Sequence, residues 1–139
     1  MIQAVLDTNV LVAGLRSKRG ASNALLRHVG GPHLQTHISV ALALEYEEVL
    51  KRENLIVDLK PSQIDRFLDY IFSVSNLTPF VAPCRPALCD PDEERNLEVA
   101  VQCGAIIVTH NQKHFVEAGV FGVRVCMPAE ILGILRESL

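Results

Sequence analysis

The sequence predicts an α/β fold, a three-layer α/β/α arrangement around a mostly parallel sheet of about five strands. Three observations predict it. Short apolar runs of strand length recur along the chain, the clearest being residues 2–6 and 105–109. Stretches with helical patterning and helix-start residues separate them, and helices between apolar strands imply crossover connections and parallel pairing. With 139 residues, 49% of them hydrophobic, the chain holds one sizeable core, and a single domain over 1–139 is expected.

Each element has a local reason. Residues 2–6 read as a buried strand, and 8–15 as the helix after it. A basic loop, Arg16-Ser17-Lys18-Arg19-Gly20, follows. Residues 22–29 are helical until Gly30-Gly31-Pro32 stops them, and 33–38 form the second strand. Ser39 is a good N-cap for a helix over 40–52, and Pro61 suits the first turn of a helix running to about Val74. The Pro-rich stretch 78–91 reads as a loop in which 80–82 supplies the third strand. Asp90-Pro91-Asp92-Glu93 opens the next helix, which ends near Gly104. After strand 105–109 come a short helix over 112–118, a strand over 123–126 and a last helix from Pro128.

Composition narrows the function classes. A net charge of -3 disfavours binding nucleic acid with the whole surface and leaves a local basic patch open. No apolar run reaches membrane-spanning length, and the opening MIQAVLD lacks the features of a secretory signal, so a cytoplasmic protein without membrane contact is expected. Cys84, Cys89, Cys103 and Cys126 form no C-x-x-C pair and match no zinc or haem spacing; they read as reduced thiols, with Cys103 and Cys126 as core filler. The chain has no G-x-S-x-G elbow, no phosphate-binding G-x-x-x-x-G-K-[ST] and no G-x-G-x-x-G, which argues against serine hydrolase, nucleotide-fuelled and nicotinamide chemistry.

In parallel sheets, sites form beyond the carboxyl ends of the strands, near the point where strand order reverses. Asp7 directly follows the first strand and is either a helix cap or a rim carboxylate. Glu45 borders the apolar stripe Leu42, Tyr46, Val49; it is a ligand, the partner of an Arg or Lys, or an edge residue that snorkels to water, because an unpaired carboxylate at a buried edge is costly. In Asp90-Pro91-Asp92-Glu93-Glu94, Asp90 and Glu93 suit capping, yet Glu93 shares a stripe with Leu97 and Ala100, while Glu94 lies on its other border. Strand 105–109 ends in Thr109-His110-Asn111, placing Thr109 and Asn111 at the same rim; His110 reads as a proton shuttle, a metal ligand or, more simply, a hydrogen-bonded surface residue. Carboxylates from separate segments meeting at one rim repel each other unless a hard divalent cation joins them. Such a site suits phosphodiester hydrolysis.

These strings resemble the PIN-domain family, and within it the toxin component of toxin–antitoxin systems. The resemblance lies in Leu6-Asp7-Thr8-Asn9, Leu44-Glu45-Tyr46-Glu47-Glu48-Val49-Leu50, Asp90-Pro91-Asp92-Glu93-Glu94 with Leu97-Glu98-Val99-Ala100, and Val108-Thr109-His110-Asn111 with Phe115. It implies a metal-dependent ribonuclease with Mg²⁺ or Mn²⁺ held by Asp7, Glu45 and Glu93, Thr109 supporting Asp7, and Asn9 ordering the site. It also implies dimerisation and inhibition by a small antitoxin protein. Two departures stand out. Asn111 replaces the fourth acid, which should weaken binding of a second metal and lower activity. The third acid is a Glu, and spacing back from Thr109 favours Glu93 over Glu94. The expected substrate is RNA, single-stranded or structured, met by Arg16, Lys18, Arg19 and Arg27, unless these form an ordinary solvated loop. The competing expectation is a catalytically weak or inactive PIN module that binds RNA or a protein partner.

Overall fold

The computed structural model describes residues 1–79 and 91–138, without the side chains of 91–93, 117, 120 and 138. In chain order the elements are β1 (Ile2–Leu6), α1 (Thr8–Arg16), α2 (Ala21–Leu26), β2 (Leu34–Ser39), α3 (Val40–Leu50), α4 (Pro61–Val74) and β3 (Asn76–Thr78). Then follow α5 (Pro91–Cys103), β4 (Ile106–Val108), a 3-10 helix (Gln112–Phe121), β5 (Val125–Cys126) and α6 (Pro128–Ser138). The local signals act as expected at several boundaries. The Ser39 hydroxyl accepts from the Leu42 amide at 3.1 Å, and Pro61 opens α4, where its missing N–H costs nothing.

Among the described residues the sheet has five strands in the order β3-β2-β1-β4-β5, and every pair is parallel. The chain first moves outward from β1 through β2 to β3, then returns to the other side of β1 for β4 and β5. Right-handed crossovers in opposite directions put their helices on opposite faces. Accordingly α1, α2 and α6 pack together, while α5 lies on β1, β2 and β4 and also meets α3. The core is the apolar sheet filled by Val5, Leu6, Ile107 and Val108 with Leu11, Leu42, Leu97, Ile131 and Leu135 from the helices. Strand order reverses at β1, so the crevice between the carboxyl ends of β1 and β4 is where this topology opens a site.

Several boundaries shift by one or two residues from the sequence expectation, and three elements differ more. The third strand is Asn76–Thr78, ahead of the expected 80–82, which lies outside the described residues. It is an edge strand with exposed Leu77, and an edge strand needs no apolar run to pair. Helix α2 stops at Leu26, short of 29, because the chain is already turning toward Gly30. The helix expected over 112–118 is 3-10 in type, extends to Phe121, is interrupted at Phe115 (φ −115°) and ends on left-handed Gly122 (φ 74°). Cys126 is buried and Cys103 half-buried, both as free thiols, whereas Cys84 and Cys89 lie outside the described residues. No helix among the described residues is long and apolar enough to cross a membrane.

Gly30 illustrates how tightly the amino-end side of the sheet is built. Its φ is +86°, and an added Cβ would sit 2.2 Å from Tyr70 Oη, whose hydroxyl donates to the Val29 carbonyl at 2.8 Å. Gly30→Ala therefore combines backbone strain with a clash, and a loss of about 2 kcal/mol is expected in urea titration. An unchanged midpoint would show that this turn yields freely.

Candidate active site

Asp7 takes the N-cap position of α1 but makes no side-chain cap hydrogen bond. Its carboxylate turns instead into the crevice. Thr109 Oγ1 donates to Asp7 Oδ2 at 2.7 Å, and Asn96 Nδ2 donates to Asp7 Oδ1 at 3.3 Å. Asp7 is 6% exposed. Burial pushes its pKa above the usual carboxylate value of 3.8, although the bonds from Thr109, the Thr8 backbone and Asn96, and the charge of His114, pull the other way.

Thr109, fully buried at the end of β4, is the hub of this corner. Besides donating to Asp7 it accepts from the Asn111 amide at 3.0 Å and from Asn9 Nδ2 at 3.4 Å. Asn9 in turn accepts from the His110 amide at 3.3 Å, so the β4 exit is stitched to the start of α1. His110 is exposed, and its Nε2 meets Ser22 Oγ at 2.6 Å, the hydrogen-bonded surface alternative among its expected roles.

Glu45 comes from α3. Tyr46, fully buried beside it, donates its hydroxyl to the Leu6 carbonyl and so pins α3 to the end of β1. That anchor brings Glu45 to the same crevice. Glu45 is 8% exposed, accepts from Thr8 Oγ1, and pairs with Arg95 Nη1 at 3.2 Å. The ion pair considered for this residue is therefore present. Glu47 and Glu48 point away, toward Lys51 at 3.0 Å and Arg52 at 2.9 Å respectively.

Asp7, Asn9, Glu45 and Asn111 line one cavity of about 620 Å³. Val12, Val49 and Leu55 add apolar lining, and Arg16 and Arg52 add two bases. Arg16 also lines an adjoining cavity of about 510 Å³ with Lys18 and Arg19, so the basic loop borders the acidic crevice. Arg27, read with that loop in the sequence, lines neither cavity. Glu93 belongs to the first turn of α5, but its side chain is outside the described residues, as is all of Asp90. Glu94 is buried, 4% exposed, rather than sitting at a border.

Sequence reasoning missed Thr8, Arg95 and Asn96. Asn96 left the clearest signal: it stands one turn before Ala100 and one turn after Glu93, a neutral polar residue directly beside the apolar Leu97.

The described donors suit a hard cation. Two carboxylates, three amides and a hydroxyl offer oxygen without thiolate, a set that matches Mg²⁺ or Mn²⁺. The desolvated Asp7 favours a positive neighbour. Among the described residues no three His, Cys, Asp or Glu side chains cluster closely enough to hold an ion by themselves.

A buried acid at the β1 tip, braced from the β4 tip beside a second acid from α3, defines an α/β fold with an acidic crevice at its switch point. The chain belongs to the PIN domain family, whose model matches residues 3–113 and whose members are in general nucleases. Among solved structures it is similar to VapBC2 from Rickettsia felis bound to a DNA fragment from their promoter, at 15% identity and a TM-score of 0.61, over 91% of this chain and 98% of that one. It is also similar to VapBC-1 from nontypeable Haemophilus influenzae, at 13% identity and a TM-score of 0.60, over 92% of this chain and 99% of that one. Among curated proteins none matches the sequence.

Proposed function

We propose that this chain is a metal-dependent endoribonuclease, the toxin of a toxin–antitoxin pair, acting as a single cytoplasmic domain over 1–139 and as a homodimer. The observation that carries the reading is the pair Asp7 and Glu45, brought from β1 and α3 to line one cavity, with Asp7 desolvated. Asp7, Glu45 and Glu93 would hold Mg²⁺ or Mn²⁺, which when bound polarises the phosphodiester and lowers the pKa of water. The chain's own residues do the rest. Thr109 and Asn96 fix the Asp7 carboxylate, Asn9 fixes Thr109, and Asn111 presents an uncharged amide where a fourth acid would bind a second cation. Arg16, Lys18 and Arg19 line the adjoining cavity and would hold the RNA backbone. The solved likenesses are VapBC toxin–antitoxin complexes, which supports a small antitoxin as partner.

Purified protein with single-stranded RNA and Mn²⁺ tests this reading: cleavage is expected, and Asp7→Asn should abolish it. Cleavage that persists unchanged in the variant overturns the assignment. In EDTA, Lys18→Ala or Arg19→Ala should each reduce the salt slope of RNA binding by about 0.7. An unaltered slope would place the backbone path elsewhere.

Asn111 keeps a second reading in view, a weak or inactive PIN module that binds RNA or a protein. Calorimetric titration separates the two, because Mn²⁺ uptake requires the acids to act as ligands.

A further inference from the structure

We propose that the groove between α1 and α3 is a nucleotide subsite for the RNA strand being cut, its aliphatic middle seating an unpaired base and ribose and its basic end holding a phosphate beyond the scissile one. The inference rests on the nuclease reading above and adds to it a path for the strand leading away from the acids.

The order of side chains along two segments carries the proposal. Helix α1 faces the cavity of about 620 Å³ with Asn9, Val12, Ala13 and Arg16, the i, i+3, i+4, i+7 spacing of a single helix face. Glu45 and Val49 on α3, with Arg52 in the turn after it, repeat the order at i, i+4, i+7. Each series runs from polar oxygen, through aliphatic carbon, to a guanidinium. Two contacts set the series side by side. Thr8 at the start of α1 donates to Glu45, and Arg16 at its end shares a small cavity with Leu55, just beyond Arg52. At a rise of about 1.5 Å per residue, Arg16 stands about 12 Å along α1 from Thr8. A cavity of this volume is of the size that takes a small organic group.

Val12, Ala13, Val49 and Leu55 are half-buried, so aliphatic carbon stays open to a ligand in the middle of the groove. A base and its ribose can cover that carbon only when the base is unpaired and free to splay out, which single-stranded RNA permits. Arg16 is exposed and makes no ion pair among the described residues, leaving its guanidinium for a phosphate. Arg52 donates from Nη2 and Nε to the Glu48 carboxylate at 2.9 and 3.2 Å, which fixes its direction and competes with a phosphate for its charge. A polyanion satisfies both ends of the groove, the bases directly and the acids through the cation they would hold. A protein segment needs a base at one end and an acid at the other.

Fluorescence anisotropy in EDTA tests the proposal, with a short oligouridine and the same ribose-phosphate strand lacking its bases as probes, and circular dichroism to establish folding. The wild-type chain should bind oligouridine at least about fivefold more tightly than the abasic strand. Val49→Thr keeps the shape of the groove but adds a hydroxyl to its aliphatic middle; it should cut that preference about threefold and leave abasic affinity unchanged. Arg16→Gln should lower the salt slope for both strands by about 0.7 and leave the preference intact. Glu48→Gln releases the Arg52 guanidinium and should tighten both strands. Equal affinity of the wild-type chain for the two strands overturns the proposal, as does a preference that survives Val49→Thr or a slope unmoved by Arg16→Gln. RNA binding that ignores every variant while cleavage proceeds would assign the groove to a protein segment instead. A wild-type chain that shows the base preference but cuts no RNA with Mn²⁺ sinks the nuclease reading and leaves the subsite standing.

Discussion

Asp7→Asn should melt about 4 °C higher than the wild-type chain in metal-free buffer at neutral pH, while losing more than about 100-fold of its RNA cleavage. The stability gain comes from burial. The carboxyl at the tip of β1 has its pKa raised by desolvation above 3.8, so the folded state holds this proton more tightly than the unfolded state does. For such a group, stability is highest below the unfolded pKa and falls as pH rises through the folded one. At neutral pH the wild-type chain therefore carries a buried charge that the amide lacks, worth about 1 kcal/mol. Opposite an amide at position 7, Asn96 turns its oxygen inward and its nitrogen outward, which exchanges an unpartnered acceptor for an unpartnered donor and leaves the gain to the lost charge. The two melting curves should converge in acid and separate as pH rises. Mn²⁺ should reverse the order, because only the wild-type chain gains binding energy from it. A variant that melts lower at every pH would mean that Thr109 and Asn96 already compensate the charge in full.

What the sequence disclosed and what it hid divide along the range of the interactions. Helix starts at Ser39 and Pro61 were legible because capping is settled within one turn. Four of the five parallel strands, β1, β2, β4 and β5, were legible because strands inside a parallel sheet carry apolar runs, as at Val5 and Ile107. Thr109 beside Asp7 is a contact across 102 positions; it was named through family resemblance, since no local pattern encodes it. Asn96 reaches Asp7 across 89 positions, and Arg95 reaches Glu45 across 50. Both lie behind the acidic run that drew attention to the front of α5. Strand β3 was hidden for another reason: its polar Asn76 and Thr78 carry none of the apolar signal that marks the central strands.

Glu45→Gln should cost the metal-free protein only about 1 kcal/mol and weaken Mn²⁺ binding about tenfold or more. Breaking a buried ion pair ordinarily costs about 3–5 kcal/mol, because one charge is left stranded. Here the group that loses its Glu45 charge is Arg95, whose side chain is 34% exposed and can rehydrate, and the Gln oxygen still accepts from Thr8. A cation at Glu45 must also compete with the guanidinium 3.2 Å away. Arg95→Ala should thus destabilise the metal-free chain more than Glu45→Gln does, since it leaves the more buried charge without its guanidinium, and should bind Mn²⁺ a few-fold more tightly. Urea titration and calorimetry read both quantities on the same samples. A loss of several kcal/mol in Glu45→Gln with unchanged Mn²⁺ affinity would make the pair a structural tie between α3 and α5. The opposite pattern makes Arg95 a resident stand-in for the metal, holding Glu45 in place until a doubly charged ion displaces it.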